Sequence, residues 1–200
     1  MSGVISVFPT ALFVSEQYEP TPDELAALIG QPWEPNRAGN KTSSDTYVLE
    51  NDALARLREF LQQQICHYAY QVLGLDEALD VYITQSWVNV NPAGSSHHPH
   101  SHPNSVISGV FFIQGEPCPL ILHREATLFG SLSLRAPASN DFNATRWNVV
   151  NRPGHAVLFP STLRHEVAQN TSATDRYSLS FNSFVRGTLG SRRKLTELVV

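Results

Sequence analysis

Histidine is concentrated in one stretch of the chain. Of eight histidines, four stand in SSHHPHSHPNS, residues 95–105. His100 and His102 form a His-x-His pair directly ahead of an apolar run, VISGVFFIQ at 106–114. On an extended segment, side chains two residues apart point to the same side, so both imidazoles can reach one ion. His165 lies just past a second apolar run, HAVLFP at 155–160, and can bring a third nitrogen from a distant part of the chain. Neutral imidazole suits iron, zinc, copper and nickel. Three such ligands leave positions open for substrate and dioxygen. His97 and His98 are read as loop residues, either of which could exchange into the ligand set. His67, His123 and His155 are read as structural.

A second chemical feature follows in RYSLSFNSF, residues 176–184. As a strand, it puts Arg176, Ser178, Ser180 and Asn182 on one face and Tyr177, Leu179 and Phe181 on the other. One face is therefore apolar, and the other lines a polar cavity or meets water. Arg176 and Ser178 together can clamp a carboxylate, through a two-pronged guanidinium contact and a hydroxyl.

These groups need rigid elements to hold them. The spacing predicts strands at 81–91 (VYITQSWVNVN), 106–114, 155–160 and 176–184, with shorter candidates LILH, TLFGSLSL and RWNVV between 115 and 153. Residues 4–14 read as an edge strand. Helical signals come earlier. Thr21-Pro22-Asp23-Glu24 is an N-cap, a proline at the first helical position and a capping box. Leu54, Leu57, Leu61, Ile65 and Tyr68 recur at helical spacing from about Asn51 to Leu73, with Gly74 as the cap. The polar segment 31–50 reads as a loop. Two helices followed by about eight strands suggest a sandwich or barrel with helices on one face.

Composition narrows the function class. A length of 200 residues with 42% hydrophobic content suits a single domain. The net charge of −4 gives no reason to expect nucleic acid or a membrane surface as partner. No apolar run approaches a membrane span, and the N-terminus lacks the basic region of a signal peptide. Cys66 and Cys118 share no motif and read as reduced thiols in the cytoplasm. A monomer and a homodimer are both compatible with the sequence.

Two patterns accommodate the histidines. Gly94 with His100 and His102, then Gly154, Pro160 and His165, partly match the cupin barrel. The cupin glutamate is missing, and Thr162 stands where cupins carry a glycine. The second pattern adds Arg176-x-Ser178, eleven residues after His165. The stretches WVNVNPAGSSHHPHSHPNSVISGVFF and PGHAVLFPSTLRHEVAQNTSATDRYSLSFN, with FPTALFV and RGTLG near the termini, resemble a bacterial and phage family of 2-oxoglutarate/Fe(II)-dependent oxygenases. The resemblance covers most of the chain and is weakest at 115–150.

That resemblance implies a mainly β fold with flanking helices. It is a double-stranded β-helix, or cupin-like jelly roll, with helical support at about 21–74 and the barrel at about 80–186. It implies Fe(II), 2-oxoglutarate and O2 as the working set. The reaction is hydroxylation of an unactivated C–H bond in an amino acid, peptide or natural product, with release of succinate and CO2. His100 and His165 match the ligand histidines, and Arg176 and Ser178 the pair that holds the distal carboxylate of 2-oxoglutarate. Asn89 is a candidate to reach the co-substrate or the primary substrate. His102 falls where most of the superfamily has Asp or Glu. Either the site has three histidines, or His102 stands behind the metal and leaves it two protein ligands. Asp141 could supply a carboxylate from a loop. Arg124, Arg135 and Arg146 are candidates for an anionic substrate group. The competing readings are a cupin-type three-histidine dioxygenase that does without 2-oxoglutarate, a zinc hydrolase and a non-catalytic metal-binding barrel.

Overall fold

The computed structural model describes residues 3–124, 135–150 and 152–200. In chain order its elements are β1 (Phe13–Val14), α1 (Pro22–Ile29), β2 (Trp33–Pro35), β3 (Lys41–Ser43), α2 (Ala55–His67), β4 (Asp80–Asn91), β5 (His97–His100), β6 (Ile107–Gln114), β7 (Leu120–His123), β8 (Arg146–Val149), β9 (Ala156–Pro160), β10 (His165–Val167), β11 (Arg176–Arg186), β12 (Thr188–Leu189) and β13 (Leu198–Val199). A seven-stranded sheet runs β1-β9-β6-β11-β4-β3-β2, and a four-stranded sheet runs β5-β10-β7-β8. The pairings within both are antiparallel. The two sheets form the double-stranded β-helix, with a small β12–β13 pair apart from them.

Period-2 alternation sorts the large sheet into two faces. On β6, Ile107, Phe111 and Ile113 join the core beneath the helices, while Val110 and Phe112 pack inward with Leu120, Leu122, Val157 and Phe159. Helix α2 lies on the outer face through Leu57, Leu61 and Ile65, each fully buried. Burying side chains of this size stabilises by about 1.5–3 kcal/mol apiece. A π-helical turn at Tyr68–Val72 prolongs α2, and Gly74 at φ +67° ends it. Helix α1 starts on the expected capping box: Thr21 Oγ1 accepts from Glu24 N, and Glu24 Oε2 accepts from Thr21 N at 2.7 Å.

Three local features differ from the sequence reading. The segment 31–50 is not wholly loop: β2 and β3 form a hairpin that extends the large sheet past β4. Apart from Trp33, which packs against the core, and Pro35, its strand residues are polar, as a sheet margin allows, where apolar alternation is not required. The N-terminal edge strand is confined to Phe13–Val14, paired with β9. Both histidine segments contain strands, β5 and β10, too short to show a period. TLFGSLSL lies outside the described residues. Among the described residues, no helix is long and apolar enough to cross a membrane.

Candidate metal centre

Strand pairing brings the histidines together. β5 and β10 are antiparallel neighbours with His100 opposite His165, and facing residues hold their Cβ atoms about 5 Å apart. The ring centroids of that pair are 4.3 Å apart. His102 enters just beyond β5, its backbone N–H donating to the Ser161 carbonyl at 3.0 Å. Its ring lies 4.9 Å from that of His100 and 5.1 Å from that of His165. One ligating nitrogen from each of the three falls within 4.8 Å of the others.

Backbone carbonyls set the tautomers of two of them. His100 Nδ1 donates to the His98 carbonyl at 2.8 Å, and His165 Nδ1 to the Leu163 carbonyl at 2.9 Å. A carbonyl can only accept, so each Nδ1 carries the proton and each Nε2 keeps its lone pair. Burial then keeps the rings neutral. It lowers the pKa of His165 to about 3 against its carbonyl hydrogen bond, with neighbouring histidines adding to the effect. It lowers His102 to about 4 with help from His100 and His97, and it also lowers His100. Neutral imidazoles with free Nε2 atoms are the protonation state that metal binding needs. The residues present fit a borderline divalent cation such as Fe(II).

A pocket with one polar wall, and with Val110, Leu120 and Val167 on its apolar side, adjoins the triad. Trp87, Asn89, His97, His100, His165, Ser178 and Ser180 help to line it. Strand β11 runs beside β4 with Arg176 opposite Asn91, Ser178 opposite Asn89 and Ser180 opposite Trp87. Asn89 Nδ2 donates to Ser180 Oγ at 2.9 Å. Leu179 and Phe181, on the other face, are fully buried beneath the helices. Arg176 is only 4% exposed, yet its Nη1 has no hydrogen-bond partner. Among the described residues no carboxylate pairs with it. Asn89 Oδ1 and Asn91 Nδ2 are likewise buried and unsatisfied. A buried guanidinium without a counter-charge is costly unless an anion completes it.

Other candidates fall away from this centre. Asp141 is exposed, and neither histidine cluster among the described residues includes a carboxylate. Arg124 is committed to the Phe142 and Asp141 carbonyls at 2.8 and 2.5 Å. Arg146 sits 4.0 Å from Glu166 beside His123. Arg135 is exposed. His97 and His98, read from the sequence as loop residues, both lie in β5, and His97 lines the pocket. His97 faces Val167 while His100 faces His165, so three steps on β5 match two on β10. This β-bulge puts residues i and i+3 on one side, which no period-2 reading would find.

The chain matches, over residues 85–182, the family profile described as "Putative 2OG-Fe(II) oxygenase". No curated protein matches it significantly. Solved structures share the fold at low identity. The non-heme alpha ketoglutarate dependent epimerase SnoN from nogalamycin biosynthesis is 14% identical, with a TM-score of 0.62 over 88% of this chain and 78% of that one. HygX from Streptomyces hygroscopicus, solved with nickel, 2-oxoglutarate and hygromycin B, is 11% identical, with a TM-score of 0.59 over 87% and 82%. A Pseudomonas putida prolyl-4-hydroxylase is 14% identical, with a TM-score of 0.53 over 89% and 94%.

Proposed function

We propose that this chain, which matches a 2OG-Fe(II) oxygenase family profile over residues 85–182, is a 2-oxoglutarate/Fe(II)-dependent oxygenase that hydroxylates a C–H bond of an amino acid, peptide or natural product, with His100, His102 and His165 as its iron ligands. Bound there, Fe(II) with 2-oxoglutarate and O2 supplies the oxidation, one oxygen atom going to the substrate and the other to succinate as CO2 leaves. The protein's own part is positioning. The His98 and Leu163 carbonyls hold the Nδ1 protons of His100 and His165 and so aim both Nε2 atoms. Arg176 receives the distal carboxylate of the co-substrate, with Ser178 Oγ beside it, and Asn89 and Asn91 offer polar groups along the way.

The observation that carries this reading is Arg176: a buried cation with an unpartnered Nη1 on the sheet face that lines the histidine pocket. A buried guanidinium of this kind calls for a carboxylate, which 2-oxoglutarate supplies; in a three-histidine dioxygenase without 2-oxoglutarate the primary substrate itself would have to carry that acid.

The substrate side follows from the small sheet. Its cross-strand register sets His100, His165, Leu122 and Trp147 in one row. Trp147 is therefore two strand spacings, about 10 Å, from His165, and at 48% exposed it is open to solvent. A ring-bearing or apolar substrate portion can pack there.

The test is stoichiometry. Protein loaded with Fe(II) is supplied with 2-oxoglutarate and pooled metabolites, and succinate is counted against oxidised product. One succinate per hydroxylation is expected. Oxidation without succinate would replace this reading with the cupin-type one. Trp147→Ala should raise the KM for the primary substrate several-fold and leave that for 2-oxoglutarate unchanged.

A further inference from the structure

The bulge in β5 builds a second cluster beside the first. One ligating nitrogen each from His97, His98 and His100 falls within 4.8 Å of the others. The His97 ring lies 4.8 Å from that of His98 and 4.5 Å from that of His100. A single carbonyl, that of His98, accepts from His97 Nδ1 at 3.2 Å and from His100 Nδ1 at 2.8 Å. Both rings therefore keep Nε2 free. His98 Nδ1 is buried without a hydrogen-bond partner, a state that normally calls for an explanation in a folded protein. No carboxylate belongs to this cluster among the described residues, so hard, oxygen-seeking cations have little to bind, whereas imidazole nitrogens suit borderline ions.

We propose that His97, His98 and His100 form a second cation site, selective for borderline ions such as Co2+, Ni2+ or Zn2+, which overlaps the first triad at His100. His100 has one free nitrogen, because its Nδ1 proton is committed to the His98 carbonyl. It can serve one ion at a time. A cation seated on the second triad thus takes a ligand from the first, and the two sites exclude one another. The proposal rests on the iron-site reading only through this shared His100, and binding at the second triad can be measured without turnover.

The experiment is an anaerobic Co2+ titration, followed by calorimetry and by the visible cobalt absorption. It uses wild type, His165→Ala and the double variant His165→Ala/His98→Ala. Wild type should bind one equivalent. His165→Ala should still bind one equivalent, at least tenfold more weakly and with a changed spectrum. The double variant should lose at least a further tenfold. His165→Gln, which keeps more of the volume, replaces His165→Ala if the alanine variant does not fold. Two equivalents bound to wild type would overturn the mutual exclusion. No cobalt on His165→Ala, or the same affinity with and without His98, would overturn the second site. Wild-type affinity in His165→Ala would instead count against the iron-site reading.

Discussion

At the scale of single residues, the site combines neutral nitrogen donors with one unbalanced cation. Arg176→Ala should raise the dissociation constant for 2-oxoglutarate by roughly tenfold or more, the effect of losing a charge-assisted hydrogen bond. Iron loading should stay intact, and calorimetry with 2-oxoglutarate alongside metal analysis separates the two. Arg176→Lys should recover only part of the affinity, because an ammonium cannot make the planar two-pronged contact. Much of this was legible in the sequence. A strand that alternates Arg-Ser-Ser-Asn with Tyr-Leu-Phe announces two faces, and the structure has those faces. His100, His102 and His165 do meet. His97 was not legible, since its inward aim depends on one extra residue in β5. The unsatisfied Nη1 of Arg176 is a property of the fold alone.

At the scale of elements, the positioning depends on how β6 turns away from β11. Gly115 follows β6 at φ +112°, and a Cβ added there would meet Arg176 Cα at 2.8 Å and its Cγ at 3.0 Å. Gly115→Ala combines an unfavourable backbone conformation with a clash against the stem of Arg176. It should weaken 2-oxoglutarate binding while leaving metal binding near normal. Gly109 offers the contrast. A Cβ there would come within 2.2 Å of Phe181 and 2.6 Å of Leu158 in the core beneath the helices. Gly109→Ala should cost about 1–3 kcal/mol of stability through overpacking, read as a lower midpoint in denaturant. The major strands were legible because β4, β6, β9 and β11 are apolar or alternate over several residues. The β2–β3 hairpin was not, because polar residues at a sheet margin carry no periodic signal.

At the scale of the whole molecule, the helices are tied to the chain leading out of β1 by a polar knot centred on the buried Glu24, with Arg56 covering it from the solvent side. Tyr18 Oη donates to Glu24 Oε1 at 2.5 Å, and Arg56 of α2 reaches Glu24 Oε2 at 2.8 Å. Burial pushes the Glu24 carboxyl up, but bonds from Tyr18, the Thr21 backbone and Arg56 outweigh it and hold the pKa below its ordinary value. A carboxyl lowered in this way contributes stability above its unfolded pKa of about 4.3 and loses it as pH falls through the folded value. Glu24→Gln should lower Tm at neutral pH by roughly 2–6 °C. It should also flatten the fall in Tm below about pH 4; a slope matching that of wild type would show that other carboxylates govern the acid limb. The fold class was readable from the order of elements, helices first and strands after, since that order leaves few ways to bury every apolar face.

The central claim is that His100, His102 and His165 hold the iron, with Arg176 binding the co-substrate beside it. The most direct test is anaerobic addition of Fe(II) and 2-oxoglutarate, watched for the visible charge-transfer absorption of the chelate. Wild type should develop that band with one iron per chain. His165→Ala should lose both the band and most of the iron, while Arg176→Ala should require far more 2-oxoglutarate to reach the same absorbance. A full band with full iron loading in His165→Ala would place the metal elsewhere.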